Sequence, residues 1–224
     1  MRAQMNRVFQ HGIVVRRADS SHPKGTPLTL QTPTVLLTGF EPFTTGQGII
    51  LDENPTAMIV RKVAAKSDFI QSAVLPVSYK QTPAVLLQRL KQSRPKLWLG
   101  LGYAPHRAQI DIETVALNVA HAERGDNDGQ TPFNEEIVTG GPNAYRPQPH
   151  SASHLNFFRK HDLPARISFH AGTFLCNLVF YMGCHEVAQG RLPIAQFIHV
   201  PPMDDYRGFE TGLFELIESL VTIR

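Results

Sequence analysis

Residues 165–188 read ARISFHAGTFLCNLVFYMGCHEVA. Ala165 to Phe169 has the character of a strand and residues 175–188 that of a helix. Ala171-Gly172-Thr173-Phe174 forms the short turn between them, and Gly172 gives the backbone freedom for a tight reversal. Cys176 then falls at the start of the helix, where unpaired backbone N–H groups and the positive end of the helix dipole favour a thiolate. The same N–H groups can receive an oxyanion.

Outward from this unit, strands and helices keep alternating. Residues 34–38, 70–77, 97–102 and 194–200 are short apolar runs, each read as a strand. Residues 110–119, IDIETVALNV, alternate apolar and polar and predict a strand with one face toward the core. Helices are predicted after Asn54-Pro55, with Asn54 as cap and Ala57, Met58, Val60, Val63 and Ala64 as the apolar stripe. Further helices are predicted at 80–92, 152–161 and 209–222. This order predicts an α/β fold, a three-layer α/β/α open and mostly parallel twisted sheet in a single domain.

The composition is globular, with 42% hydrophobic and 18% charged residues among 224. The formal charge is +3, too small to argue for nucleic acid. Residues 1–33 hold Arg2, Arg7, Arg16, Arg17 and Lys24 against Asp19, a balance of +4, which leaves −1 for residues 34–224. Residues 18–33 are rich in Ser, Pro, Gly and Thr and read as a linker. The expectation is a basic, flexible N-terminal extension over 1–33 and a folded domain over 34–224. No apolar run approaches the ~18–20 residues of a membrane span. The only cysteines are Cys176 and Cys184. Eight residues apart on one helix they stand about 12 Å apart, beyond the reach of a disulfide. Free thiols fit a reducing compartment, and a cytoplasmic protein is expected.

A thiol nucleophile at neutral pH needs a base. His199 ends the strand halted by Pro201-Pro202, and His170, six residues before Cys176, is the rival. His106, His121, His150, His154, His161 and His185 lie in polar or loop contexts and are expected to be solvated. His150 and His154 have metal-ligand spacing on a helix, but no carboxylate or cysteine set supports them, and no metal is expected. Glu113 interrupts a β-rich strand, and on the residues alone an exposed position and an imidazole-orienting one both stand. Cys184, inside a helix with no turn beside it, reads as a small buried hydrophobe.

The sequence resembles the pyroglutamyl peptidase I (pyrrolidone-carboxylate peptidase) family of cysteine peptidases from about Thr34 to Pro202. The resemblance rests on Gly39-Phe40-Glu41-Pro42-Phe43, Asn54-Pro55-Thr56, Glu113 to Asn118, Asp126-Asn127-Asp128-Gly129, Gly141 to Tyr145, Ala171 to Asn177 and Phe197 to Pro201. It implies a catalytic set of Cys176, His199 and Glu113. It also implies substrate contacts at Phe40, Phe43, Asn54, Tyr103, Phe174 and Leu175, no cofactor, and a homo-oligomer, tetramer or dimer. The implied substrates are small peptides with N-terminal pyroglutamate, and neither nucleic acid nor membrane is an expected partner. Two departures stand out. Tyr103 replaces a glutamine that contacts the lactam in the family, and Glu123 stands where the family has an arginine, with Arg124 one step late. These motivate the alternatives, a related thiol hydrolase of altered N-terminal specificity or a non-catalytic peptide-binding relative. A phosphate-dependent transferase would need a phosphate-binding loop, and none is evident.

Overall fold

Val35–Phe40 (β1) is buried at every residue, as a strand covered on both faces must be. The structure is a computed structural model that describes residues 35–45, 48, 50–147 and 152–222. The expected extension, residues 1–33, lies outside the described residues, as does His150. The remaining elements follow in order: Pro55–Ala64 (α1), Ile70–Leu75 (β2), Thr82–Ser93 (α2), Leu97–Tyr103 (β3), Ile110–Glu113 (β4), Ala116–Leu117 (β5), Ala144–Tyr145 (β6), Ala152–Arg159 (α3), Ala165–Ser168 (β7), Leu175–Ala188 (α4), Ile194–Val200 (β8) and Arg207–Thr222 (α5).

Six strands form one sheet in the order β2-β1-β3-β8-β4-β7. Every neighbouring pair is parallel except β4 with β8. Successive side chains of a strand point to opposite faces. Val35, Leu37, Leu99, Leu101 and Ile198 therefore pack on one side against Ile59 and Val60 of α1, Phe158 of α3 and Phe209 and Leu213 of α5. Leu36, Trp98 and Phe197 pack on the other side against Leu86 of α2 and Val179 and Phe180 of α4. Each such buried side chain contributes about 1.5–3 kcal/mol relative to exposure. The result is the expected three-layer α/β/α domain, with an antiparallel element inside a mostly parallel sheet.

The helix start at Asn54-Pro55 forms as the sequence indicates. Asn54 is extended, and its Oδ1 accepts from Thr56 N at 3.0 Å. The cap does more than begin a helix. Asn54 Nδ2 donates to Glu41 O at 3.0 Å, and Phe40 N donates to Thr56 Oγ1 at 3.1 Å. These bonds tie the Gly39–Phe43 segment to the head of α1 at the carboxyl end of β1.

Two expectations are corrected. The strand predicted over 70–77 ends at Leu75, because Pro76 cannot donate to a ladder. The strand predicted over 110–119 is two strands in two sheets. After Glu113, Thr114 turns both its N–H and its hydroxyl to Ser168 O, and Ala116–Leu117 leaves to pair with β6. Asp111 and Glu113 are also fully buried, so the polar side of β4 faces the protein interior and not water. The short β6 was not anticipated; it belongs to the Gly141–Tyr145 segment, held by Tyr181 Oη donating to Pro142 O at 2.7 Å.

Candidate active site

The carboxyl ends of β1, β3 and β8 meet the amino end of α4, the place where open α/β sheets put their ligands. Cys176 is the second residue of α4. No side chain caps that helix, and its first backbone bond is Leu178 N to Phe174 O, so the head of the helix presents backbone N–H groups toward the cleft. Asn177, fully buried beside the thiol, bonds Leu117 N, Leu117 O and Val119 O, which fixes the first turn of α4 against the segment after β4.

His199 lies next to last on β8, opposite Asp111 of the antiparallel β4. Residues opposed in such a pair share a face, so the reversed strand delivers Asp111 and Glu113 to the His199 side of the sheet. His199 Nδ1 stands 2.7 Å from Glu113 Oε1. A carboxylate only accepts, so Nδ1 carries the proton and donates. Nε2 is then the free base. Its neighbouring ring atom, Cδ2, and Cys176 Sγ both border one spot. A Cβ built on Gly102 of β3 would meet Sγ at 2.7 Å and Cδ2 at 3.0 Å. Glycine at 102 leaves the thiol and the imidazole room to flank the same gap.

Desolvation works against the thiolate expected at the helix start. Burial pushes the Cys176 thiol up to about 12, and the Glu113 charge adds to this, outweighing the opposing pull of Arg107 and of the backbone N–H. Desolvation thus opposes the thiolate that the head of the helix favours, and the proton must be taken by a neighbouring base. Burial also holds His199 below its ordinary value, despite the hydrogen bond and charge of Glu113, so the ring is neutral and can accept a proton. For Glu113, desolvation favours the neutral acid, but the hydrogen bond and charge of His199, the Ser168 hydroxyl and the Arg107 charge together outweigh it and keep the carboxyl below its usual range.

Cys176 and His199 open onto a cavity of about 300 Å³. Phe40, Phe43, Asn54, Tyr103, Phe174 and Leu175 all line it, together with Arg107 and His106. Glu113 is not in the wall; it lies behind His199 at zero exposure. The cavity is mostly apolar and aromatic, and no carboxylate is among the described residues lining it. Among the described residues, no group of three or more His, Cys, Asp or Glu is arranged to hold a metal ion.

Of the histidines expected to be solvated, His106 is exposed, whereas His121, His154, His161 and His185 are half-buried. His170 is exposed and does not line this cavity; its ring accepts from Gly172 N at 3.0 Å and so shapes the turn. His185 is half-buried, with Nδ1 2.8 Å from Tyr145 Oη. His161 faces Glu215 at 3.4 Å. His106, although exposed, belongs to the cavity wall. Cys184 is buried as expected, and burial raises its thiol further still.

Sequence reasoning missed Arg107 and Asp111. Arg107 Nη1 bonds Asp111, and it also bonds Glu113 Oε1 at 2.6 Å, while Nη2 donates to His170 O at 3.0 Å. The available signal was an arginine four residues before an acid on a strand whose acids are two apart. The Asp126–Gly129 segment is structural. Asp126 accepts from Tyr79 N, Asp128 N and Gln130 N, and Asn127 Nδ2 donates to Pro42 O at 3.0 Å, which braces the aromatic wall. Arg124 donates to Thr45 O at 3.2 Å.

A family model described as pyroglutamyl peptidase matches residues 33–210. The pyrrolidone-carboxylate peptidase of Pyrococcus furiosus is 36% identical over 173 residues, covering 75% of this chain and 80% of that protein. The pyrrolidone-carboxylate peptidase of Thermococcus litoralis is 35% identical over 175 residues, covering 76% and 77%. Among solved structures, a mutant pyrrolidone carboxyl peptidase from Pyrococcus furiosus matches with a TM-score of 0.76 at 31% identity, over 85% of this chain and 99% of that one. The pyroglutamyl peptidase I of Bacillus amyloliquefaciens matches with a TM-score of 0.74 at 30% identity, over 84% and 96%.

Proposed function

Because the chain belongs to the pyroglutamyl peptidase family of hydrolases, we propose that it cleaves the amide bond after an N-terminal pyroglutamyl residue, with Cys176 as nucleophile, His199 as base and Glu113 orienting the base. The observation that carries this reading is an imidazole held through Nδ1 by a buried carboxylate, beside a thiol in an aromatic cavity with no acid among the described residues that line it.

Pyroglutamate is a flat lactam with no charged amine. A cavity walled by Phe40, Phe43 and Phe174 suits that ring, whereas a free α-amine would need a carboxylate that the lining does not offer. In the chemical step His199 Nε2 takes the Cys176 proton as the sulfur attacks the carbonyl carbon that joins the lactam to the next residue. Backbone N–H groups at the head of α4 receive the oxyanion. The C–N bond breaks, the leaving amine takes the proton from His199, and the pyroglutamyl group remains as a thioester on Cys176. Water then gives a proton to His199 and attacks the thioester. Pyroglutamate leaves, and the proton returns to the sulfur. Glu113 balances the positive charge that His199 gains in each half-reaction.

Tyr103 favours a second reading. It is a phenol in the cavity wall where the family has a glutamine, and a site so lined can accept a different N-terminal ring. Release of a fluorophore from pyroglutamyl, prolyl and alanyl amides separates the possibilities. Cleavage of the pyroglutamyl amide alone is expected. Preference for another amide favours the second reading, and no cleavage by folded, reduced protein refutes both. We further propose a cytoplasmic homo-oligomer whose peptidase domain spans residues 34–224. No helix among the described residues is long and apolar enough to cross a membrane.

A further inference from the structure

The buried charges behind His199 are more numerous than a Cys-His-Glu set needs. Glu113 and Asp111 have zero exposure and lie two residues apart on β4, on the face that carries His199. Two uncompensated anions there would hold a proton on the imidazole at neutral pH, and an imidazolium cannot accept the Cys176 proton. Arg107 and Arg166 supply the balance. Arg107 Nη1 bonds both Asp111 and Glu113 Oε1, and Arg166 reaches Asp111 from β7 through Nε and Nη2.

The geometry at Glu113 is lopsided. Oε1 takes both donors, His199 Nδ1 at 2.7 Å and Arg107 Nη1 at 2.6 Å. Oε2 is buried and makes no hydrogen bond as short as these; the Ser168 hydroxyl on β7 is near enough to favour the charged carboxylate but leaves both close donors on Oε1. A free carboxylate would rotate to share its oxygens. Arg107 prevents this, because its guanidinium is itself fixed at three points: Asp111, Glu113 and His170 O.

We propose that Arg107, clamped by Asp111 and Arg166, is a positioning residue that selects the Glu113 oxygen facing His199 and moderates the carboxylate's hold on the imidazole proton. This rests on the peptidase reading for its role in turnover. The charged and titratable groups facing His199 are Glu113 and Asp111 from β4, Arg107 from the loop before β4, and Cys176 from α4; Arg166 from β7 acts through Asp111. The positive charge of Arg107 opposes imidazolium formation, and the negative charges of Glu113 and Asp111 favour it.

The test is the pH profile of kcat/KM for pyroglutamyl-amide hydrolysis by Arg107→Gln and Arg107→Lys, beside the pH titration of the His199 ring resonance, assigned by its loss in His199→Gln. A unit charge about 5 Å away at an effective dielectric constant of about 20 shifts a titration by roughly two units, and the open cavity trims this to about one to two. Arg107→Gln is expected to move the acid limb and the His199 titration upward by that amount. Arg107→Lys keeps the charge but loses the fork, so kcat falls while the limb stays in place. A purely structural role would lower rates with the limb unmoved, and an unmoved limb and ring titration in folded Arg107→Gln overturn the proposal. Should that variant not fold, Arg166→Gln, whose side chain is 55% exposed, loosens the same clamp. It is expected to shift the limb in the same direction by less, and no shift there overturns the proposal equally. If the wild type fails to turn over, the peptidase reading fails, while the ring titration still decides the role of Arg107.

Discussion

Gly102→Ala places one methyl group in the gap between thiol and imidazole. Gly102 belongs to β3 and its backbone is ordinary strand, so alanine is conformationally acceptable there. The methyl would stand 2.7 Å from Cys176 Sγ, 3.0 Å from His199 Cδ2 and 3.0 Å from Phe197 Cζ. Ordinary contact begins at about 3.5 Å, so the sulfur or the ring must retreat by roughly 0.8 Å. Misplacement of reacting groups by about 1 Å costs on the order of a hundredfold in rate, or about 2.7 kcal/mol of barrier. The stability cost is smaller. Overpacking costs about 1–3 kcal/mol, and replacing a strand glycine returns about 0.5–1 kcal/mol. The assay is kcat/KM for a pyroglutamyl amide together with a thermal melt. Gly190→Ala is the control: its φ is +69° and nothing lies within 4 Å of the new methyl, so it should cost stability with no loss of kcat/KM. A folded Gly102→Ala enzyme with kcat/KM near the wild-type value would refute the placement of thiol and imidazole around this gap.

Three further outcomes are expected. His199→Ala should abolish turnover and His170→Ala should leave most of it, since His170 is outside the cavity; the reverse result would assign the base wrongly. Asn54→Ala removes both the cap of α1 and the bond to Glu41 O, and should cost about 1–2 kcal/mol in denaturant unfolding while raising KM through a looser Phe40–Phe43 wall. Thermal stability should form a plateau over neutral pH. His199 and Glu113 have depressed folded values, so their contributions are lost as pH falls below 6.5 and then below 4.5. The Cys176 thiol is raised to about 12 from 9.0, so its contribution is lost as pH climbs through that window. Cys176→Ser should flatten part of the alkaline fall, and an unchanged alkaline limb in that variant would count against the raised thiol.

The centre of the sheet was legible because β1, β3 and β8 are covered on both faces and appear as mostly apolar runs; Ile194–Val200 and Leu175–Ala188 carry the bounds the sequence indicates. The head of α1 was legible because Asn-Pro is a local signal with a local cause. Glu113 was not decided by its own neighbours. A period of two marks which residues share a face, but it does not say whether the polar face meets water or a buried network, and on β4 it meets Arg107. The break between β4 and β5 escaped for the same reason, since the alternation continues across Thr114 while the hydrogen bonds go to Ser168. The upward push on the Cys176 thiol was hidden because a helix dipole is visible in a sequence and the desolvation opposing it is not. Arg107 was missed because its partners, Asp111, Glu113 and His170 O, meet only once β4 runs antiparallel to β8.

The most direct test of the central claim is the rate of pyroglutamyl-amide hydrolysis by Cys176→Ser beside Cys184→Ser, both confirmed as folded. The geometry requires the first to fall to the uncatalysed background and the second, altered eight residues further along α4 in the apolar core, to keep its turnover. Hydrolysis that survives loss of the Cys176 sulfur would contradict the account.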